Sequence, residues 1–265
     1  MRSIELKESG TGPLLFCLHG IGSSSRAFAA QLDGLSEDMH VVAWDAPGYG
    51  DSQDPEPDAD MSYFARQAAD VIESFSEPAY VLGVSWGGVI ATVLAAGRPD
   101  LVSGVVLVSA SRGSGRSAEA RKSMLTRISE LDSLGLDQFA ISRARKLVGP
   151  NSQGLTVELV AKEMARSIRP AGYKAAALAM ANTDTSQTLR DISIPVMVVC
   201  GSDDQVTGPA ESEAITSGVP GCVLVRIEGA GHLVNQEAPA KFNAWVGSFV
   251  DLLEGSRGAD RNRPR

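Results

Sequence analysis

Short apolar runs alternate with longer amphipathic stretches along most of the chain. Ser3-Ile4-Glu5-Leu6-Lys7-Glu8 alternates with period two, the pattern of a strand with one buried face. Leu14–Leu18 is unbroken apolar sequence, as in a strand covered on both faces. Val41–Trp44, Tyr80–Leu82, Val105–Val108, Pro195–Cys200 and Val223–Ile227 also read as strands. Between them, apolar residues recur at helical spacing. These segments predict a helix through Gln31 and Leu32, with Ser24 or Ser25 placed to cap it. Further helices are predicted at Met61–Glu77, Val89–Ala96, Ala210–Thr216 and Pro239–Leu253. Gly10–Pro13 is a turn, and the acidic, proline-rich Gln53–Asp60 is a surface loop. Strands alternating with helices predict an α/β fold with a doubly wound, mostly parallel sheet. Only one strand fits before Leu14, so seven or eight strands are expected.

The alternation stops at Arg112. From 112 to 193 no strand pattern occurs, and four helical segments follow one another: Ala118–Leu134, Leu136–Val148, Leu155–Ile168 and Tyr173–Asn182. Gly135, Gly149-Pro150 and Pro170-Ala171-Gly172 separate them. The expected organisation is a core of 1–111 and 194–254, an inserted helical lobe of 112–193, and a disordered tail at 255–265. The tail has almost no apolar content. The lobe carries 13 Lys+Arg against 8 Asp+Glu, whereas the rest of the chain carries 11 against 24. A basic lobe on an acidic body is explained by solvated helix faces and pairing to the core. It also suits an arginine that meets an anionic substrate. Periodicity leaves Arg112, Arg116, Arg143, Arg145, Arg166 and Arg169 all open for that part.

Composition narrows the function. The 265 residues are 43% hydrophobic and 21% charged, ample for one large core. A net charge of −8 gives nucleic acid no electrostatic attraction. No apolar run approaches membrane-spanning length, and Met1–Glu8 is not a signal peptide, so a cytoplasmic protein is expected. Cys17, Cys200 and Cys222 lie in or beside strand patterns and read as free thiols of a reducing compartment. No Cys/His cluster has zinc spacing, and no cofactor or metal is expected.

The candidate chemistry centres on Gly83-Val84-Ser85-Trp86-Gly87-Gly88. An apolar strand precedes it and a helix pattern follows it. A serine on so sharp a turn is held with Oγ clear of the sheet edge, and the helix N-terminus behind it favours negative charge. A serine alcohol needs a base. His232, in Gly229-Ala230-Gly231-His232 after the last strand pattern, can reach over the sheet edge as that base. The base needs an orienting carboxylate. Either Asp203 or Asp204, after the penultimate strand pattern, could supply it.

Taken together, these motifs resemble the α/β-hydrolase fold superfamily, serine-nucleophile branch, over essentially the whole chain. His19-Gly20-Ile21-Gly22, Asp45-Ala46-Pro47-Gly48-Tyr49-Gly50-Asp51-Ser52, the serine motif, Gly201-Ser202-Asp203-Asp204 and Gly229–His232 occur in that family's order. The resemblance implies a triad of Ser85, Asp204 and His232. It implies an oxyanion hole made by the backbone N–H groups of Ile21 and Trp86, with His19 and Asp45 as loop braces. It also implies that 112–193 is a lid. The chain is most similar to small bacterial enzymes with four-helix lids, such as 3-oxoadipate enol-lactonases and related esterases. The function so implied is hydrolysis of a small ester or lactone, neutral or anionic, without a cofactor. Cleavage of a C–C bond in a vinylogous diketone acid, or binding of a small molecule with slow turnover, are the alternatives.

Overall fold

The computed structural model describes residues 4–152 and 155–261. Ser3 of the first strand pattern, residues 153–154 of the helical segment and 262–265 of the expected tail lie outside the described residues. The strands are β1 (Leu6–Ser9), β2 (Leu14–Leu18), β3 (His40–Trp44), β4 (Ala79–Val84), β5 (Val102–Val108), β6 (Val196–Gly201) and β7 (Val223–Ile227). They form one seven-stranded sheet in the order β1-β3-β2-β4-β5-β6-β7. All neighbours are parallel except β1, which runs antiparallel to β3.

Alternate residues of the central strands feed two separate layers, which is why those patterns lack a polar face. Phe16, Leu18, Val42, Trp44, Val81, Leu107 and Val198 pack with α2 (Met61–Ser74) and α3 (Trp86–Gly97). Leu15, Cys17, Val41, Leu82, Val106 and Val199 face the other way, onto Phe28 and onto Phe242, Val246 and Val250 of α10 (Pro239–Arg261).

Three local details differ from the sequence patterns. A short turn of helix at Ser25–Phe28 precedes α1 (Ala29–Gly34), and neither serine caps it. Ser24 Oγ instead accepts from Ser167 Oγ at 3.0 Å, and Ser25 N–H donates to Asp45 Oδ1 at 2.7 Å. Asp60, at the end of the acidic loop, does cap a helix: it accepts from Tyr63 N–H at 2.7 Å and starts α2. The last helix does not end at Leu253 but continues to Arg261, so residues 255–261 of the expected tail are helical. Polar contacts hold its final described turns where apolar content is absent. Arg257 donates to Ser103 Oγ at 2.8 Å and lies 5.6 Å over the Tyr80 ring.

Between β5 and β6 the chain forms α4 (Ala118–Leu134), α5 (Leu136–Leu147), α6 (Val157–Ser167) and α7 (Pro170–Ala181). Ser117 and Thr156 cap α4 and α6, and Gly135 at φ +71° makes the break between α4 and α5. The loop after β3 touches α7 backbone to backbone. A Cβ on Gly172 would fall 2.0 Å from Gly48 O, so the contact requires glycine.

Glu211, in α8 (Pro209–Gly218), ties the start of this segment down. Its carboxylate is only 9% exposed. It accepts from Arg112 N–H at 2.9 Å and from Arg112 Nε and Nη2 at 3.1 Å, and it pairs with Arg116 at 3.4 Å. Burial opposes ionisation, but the arginines outweigh it and hold the carboxyl below its ordinary value of 4.5. Glu211→Gln is therefore expected to lower stability by about 2 kcal/mol at neutral pH. A depressed folded-state pKa stabilises above the unfolded value and loses that effect in acid. The Tm difference between wild type and variant should thus shrink as pH falls below 4.5. A pH-independent difference would rule out the ion pair as its cause.

Candidate active site

Ser85 alone makes the turn from β4 to α3, with φ +54° and ψ −111°. A non-glycine residue held there costs about 1–3 kcal/mol, which the surroundings must offset. Its N–H donates to Val108 O at 2.8 Å, and its carbonyl accepts from Gly88 and Val89. The flanking glycines are obligatory. A Cβ on Gly83 would lie 2.4 Å from Gly87 O, and one on Gly87 would lie 2.1 Å from Leu18 O. The backbone is thus pinned on every side while the Ser85 side chain faces a cavity of about 330 Å³.

His232 lines the same cavity and is almost wholly buried. Its Nδ1 lies 3.0 Å from both carboxylate oxygens of Asp204. Asp204 also accepts from Val206 N–H at 2.8 Å, Thr207 N–H at 3.2 Å and Thr207 Oγ1 at 2.7 Å. Burial disfavours the Asp204 carboxylate. Bonds from His232, Thr207 and Val206 outweigh that and hold its pKa well below the ordinary range. Asp203 points elsewhere, accepting from Asn151 Nδ2 at 3.1 Å and Ser202 Oγ at 3.0 Å. Ser85 and His232 share the cavity wall with no hydrogen bond between them among the described residues, a spacing that substrate binding often tightens.

Ile21, in the loop after β2, also lines the cavity. That loop lies against the serine turn, since a Cβ on Gly20 would sit 3.4 Å from Ser85 Cβ. Among the described residues, neither the Ile21 nor the Trp86 N–H donates to an acceptor. His19 is fully buried and fixed in place. Its Nε2 accepts from Ala46 N–H at 3.0 Å, so Nδ1 carries the proton and donates to Gly20 O at 2.9 Å. Burial lowers its pKa, consistent with this neutral tautomer. Asp45 is likewise a brace, accepting from the N–H groups of Ser25 and Asp51.

The His232 loop is joined to the helical segment by contacts that no motif signalled. His232 N–H donates to Leu147 O at 3.1 Å. Glu237, at the end of the short helix α9 (Val234–Glu237), accepts from Gly149 and Gly231 N–H through Oε2 and from Leu233 N–H through Oε1. Replacing Glu237 with alanine leaves three amides without that acceptor. The expected result is a loss of at least about 2 kcal/mol of stability and a fall in kcat. Unchanged melting and turnover would show that the loop holds itself.

The arginines of the segment divide clearly. Arg112 and Arg116 turn to Glu211, Arg166 to Glu163, and Arg169 to Ser52 O and Asp54. Arg145 is exposed. Arg143 lines the cavity, joined there by Arg127, which the sequence patterns did not single out. Among the described residues no group of three His, Cys, Asp or Glu side chains is placed to hold a metal ion.

Residues 15–245 match the alpha/beta hydrolase family. The chain belongs to that family. It is 28% identical over 257 residues to the (E)-2-((N-methylformamido)methylene)succinate hydrolase of Acinetobacter baylyi, covering 92% of this chain and 94% of that one. It is 27% identical over 252 residues to a pimeloyl-[acyl-carrier protein] methyl ester esterase of Neisseria meningitidis, covering 91% and 93%. In fold it resembles the enol-lactonase of Burkholderia xenovorans, with a TM-score of 0.85, 19% identity and coverage of 94% and 96%. Members of this family related to the chain are hydrolases, including esterases acting on ester bonds. No helix among the described residues is long and apolar enough to cross a membrane.

Proposed function

We propose that this alpha/beta hydrolase cleaves a small carboxylic ester or lactone through an acyl-enzyme at Ser85. The observation that carries the reading is the buried Asp204–His232 pair, which opens onto the same cavity as a strained, pinned serine. Asp204 keeps the His232 proton on Nδ1 and leaves Nε2 free to act as base. Ser85 Oγ attacks the carbonyl carbon as its proton passes to Nε2. The carbonyl oxygen becomes an oxyanion that accepts from Ile21 and Trp86 N–H, each worth about 3 kcal/mol. The intermediate then collapses, the C–O bond breaks, and His232 protonates the departing alkoxide. Water, deprotonated by the same Nε2, attacks the acyl-enzyme and releases the acid and free Ser85.

Helices α4 to α7 act in this scheme as a lid, 112–193, over a core of 1–111 and 194–254. Their contribution to the cavity wall, through Leu147, Val160, Met164 and Tyr173, supports that part. The relatives named for a succinate derivative and for a pimeloyl-[acyl-carrier protein] methyl ester support hydrolysis at a short acyl group. The free thiols of Cys17, Cys200 and Cys222 fit a cytoplasmic setting. The test is labelling. A serine-reactive phosphonate should stop p-nitrophenyl acetate hydrolysis and add its mass to the peptide bearing Ser85. Label on any other residue, with turnover lost, would reassign the nucleophile.

A further inference from the structure

Arg143 stands in an unusual place for a guanidinium. It projects from α5, is only 8% exposed, and lines the cavity that Ser85 and His232 share. Among the described residues no carboxylate lies within ion-pair distance of it, and it makes no hydrogen bond. A buried charge left so is costly unless something else meets it. Arg127 of α4 lines the same cavity, which places a second positive charge beside the first. Burial, together with that like charge, pushes the Arg143 guanidinium down to about 10, so it remains charged at neutral pH. Tyr173 faces both arginines, but burial pushes its phenol up, and it supplies no countercharge; Glu130 of α4 attracts Arg143 from beyond ion-pair distance and does not line the cavity. Glu163 is the one carboxylate lining the cavity; its Oε1 pairs with Arg166 at 3.2 Å, and its Oε2 is buried with no hydrogen-bond partner among the described residues. Three arginines, Arg26, Arg127 and Arg143, thus line the cavity against one carboxylate, and that carboxylate is not within ion-pair distance of Arg143.

We infer that Arg143 and Arg127 form a subsite for a carboxylate carried by the substrate, away from the bond that is cleaved. This rests on the hydrolase reading of Ser85 for the word substrate, but not for the binding itself. Two guanidinium forks lining one cavity suit a carboxylate, which accepts two bonds from each fork it meets. Pairing would end the mutual repulsion of the arginines and turn the acid-bearing end of the molecule away from Ser85. Neutral esters of equal size would enter without that orientation and react less often.

The test compares the p-nitrophenyl ester of hexanoic acid with the mono-p-nitrophenyl ester of adipic acid. Wild type should favour the carboxylate by about tenfold or more in kcat/KM, and about 0.5 M NaCl should narrow the gap. Arg143→Met should bring the ratio towards one, Arg143→Lys should restore part of it, and Arg145→Met on the exposed side of α5 should leave it unchanged. Arg143→Met should also melt higher than wild type, because it removes a buried unpaired charge; a structural arginine would give the opposite. Binding is read separately from turnover. Adipate should raise the Tm of wild type by about 2 °C or more, adipamide should not, and Arg143→Met should abolish the adipate effect. Equal rates on both esters and no adipate shift would overturn the subsite while leaving the serine chemistry intact. An Arg143-dependent adipate shift without hydrolysis of either ester would do the reverse.

Discussion

Replacing Ser85 with alanine is expected to reduce kcat by a factor on the order of 10⁵ or more while leaving the fold in place. Oγ forms the covalent bond, and without it only the backbone donors and the binding cavity act on the substrate. The fold should persist because Ser85 is held by its backbone, through Val108 O, Gly88 N–H and Val89 N–H, rather than by its hydroxyl. Alanine keeps the φ of +54° and so keeps the strain. Glycine adopts that conformation without cost, so Ser85→Gly should be as inactive as Ser85→Ala and about 1 kcal/mol more stable. The pair of variants separates two claims. A well-folded Ser85→Ala protein with near wild-type kcat would sink the acyl-enzyme. Equal melting of the alanine and glycine variants would instead show that the turn stores no strain.

The central strands of the sheet were legible because they are covered on both faces. Leu14–Leu18 and Val105–Val108 must be apolar throughout to fill two layers at once, and such runs admit few other readings. The helices of 112–193 were legible to within a few residues from their spacing and glycine breaks. Side-chain direction was less accessible. Ser24 and Ser25 have the composition of a cap, yet Ser24 Oγ meets Ser167, while Ser25 gives its backbone N–H to Asp45 and buries its hydroxyl with no hydrogen-bond partner among the described residues. Arg127 was not among the candidate arginines of the sequence. Only the packing of α4 against α7 brings it to the cavity, and no local pattern encodes that. Glu237 sits close behind His232 in sequence, but its work is done on Gly149, which is 88 residues away.

The choice between Asp203 and Asp204 shows the same limit, and it supplies the second large expected effect. The two are adjacent and chemically identical, so spacing could not separate them. The fold does so by turning Asp203 out to Asn151 and Asp204 in to His232. Asp204→Asn should cost about four orders of magnitude in kcat. An amide can still accept from Nδ1–H through its oxygen. It cannot accept from Thr207 Oγ1 and from two backbone N–H groups as the carboxylate does, and its NH₂ favours the wrong imidazole tautomer. Nor can it balance the imidazolium that forms when Ser85 loses its proton. Asp203→Asn should change kcat by no more than about twofold, because that side chain is a partly exposed, neutral-partner contact. Stability offers a second reading of the same residue. The Asp204 carboxyl titrates below its ordinary 3.8 in the folded state, so its contribution is complete above that pH and fades in acid. Wild type should therefore melt above Asp204→Asn at neutral pH, with the gap closing as pH falls below 3.8. If Asp203→Asn were the inactive variant instead, the orienting carboxylate would have to be reassigned, and the Asp204–His232 contact would be structural only.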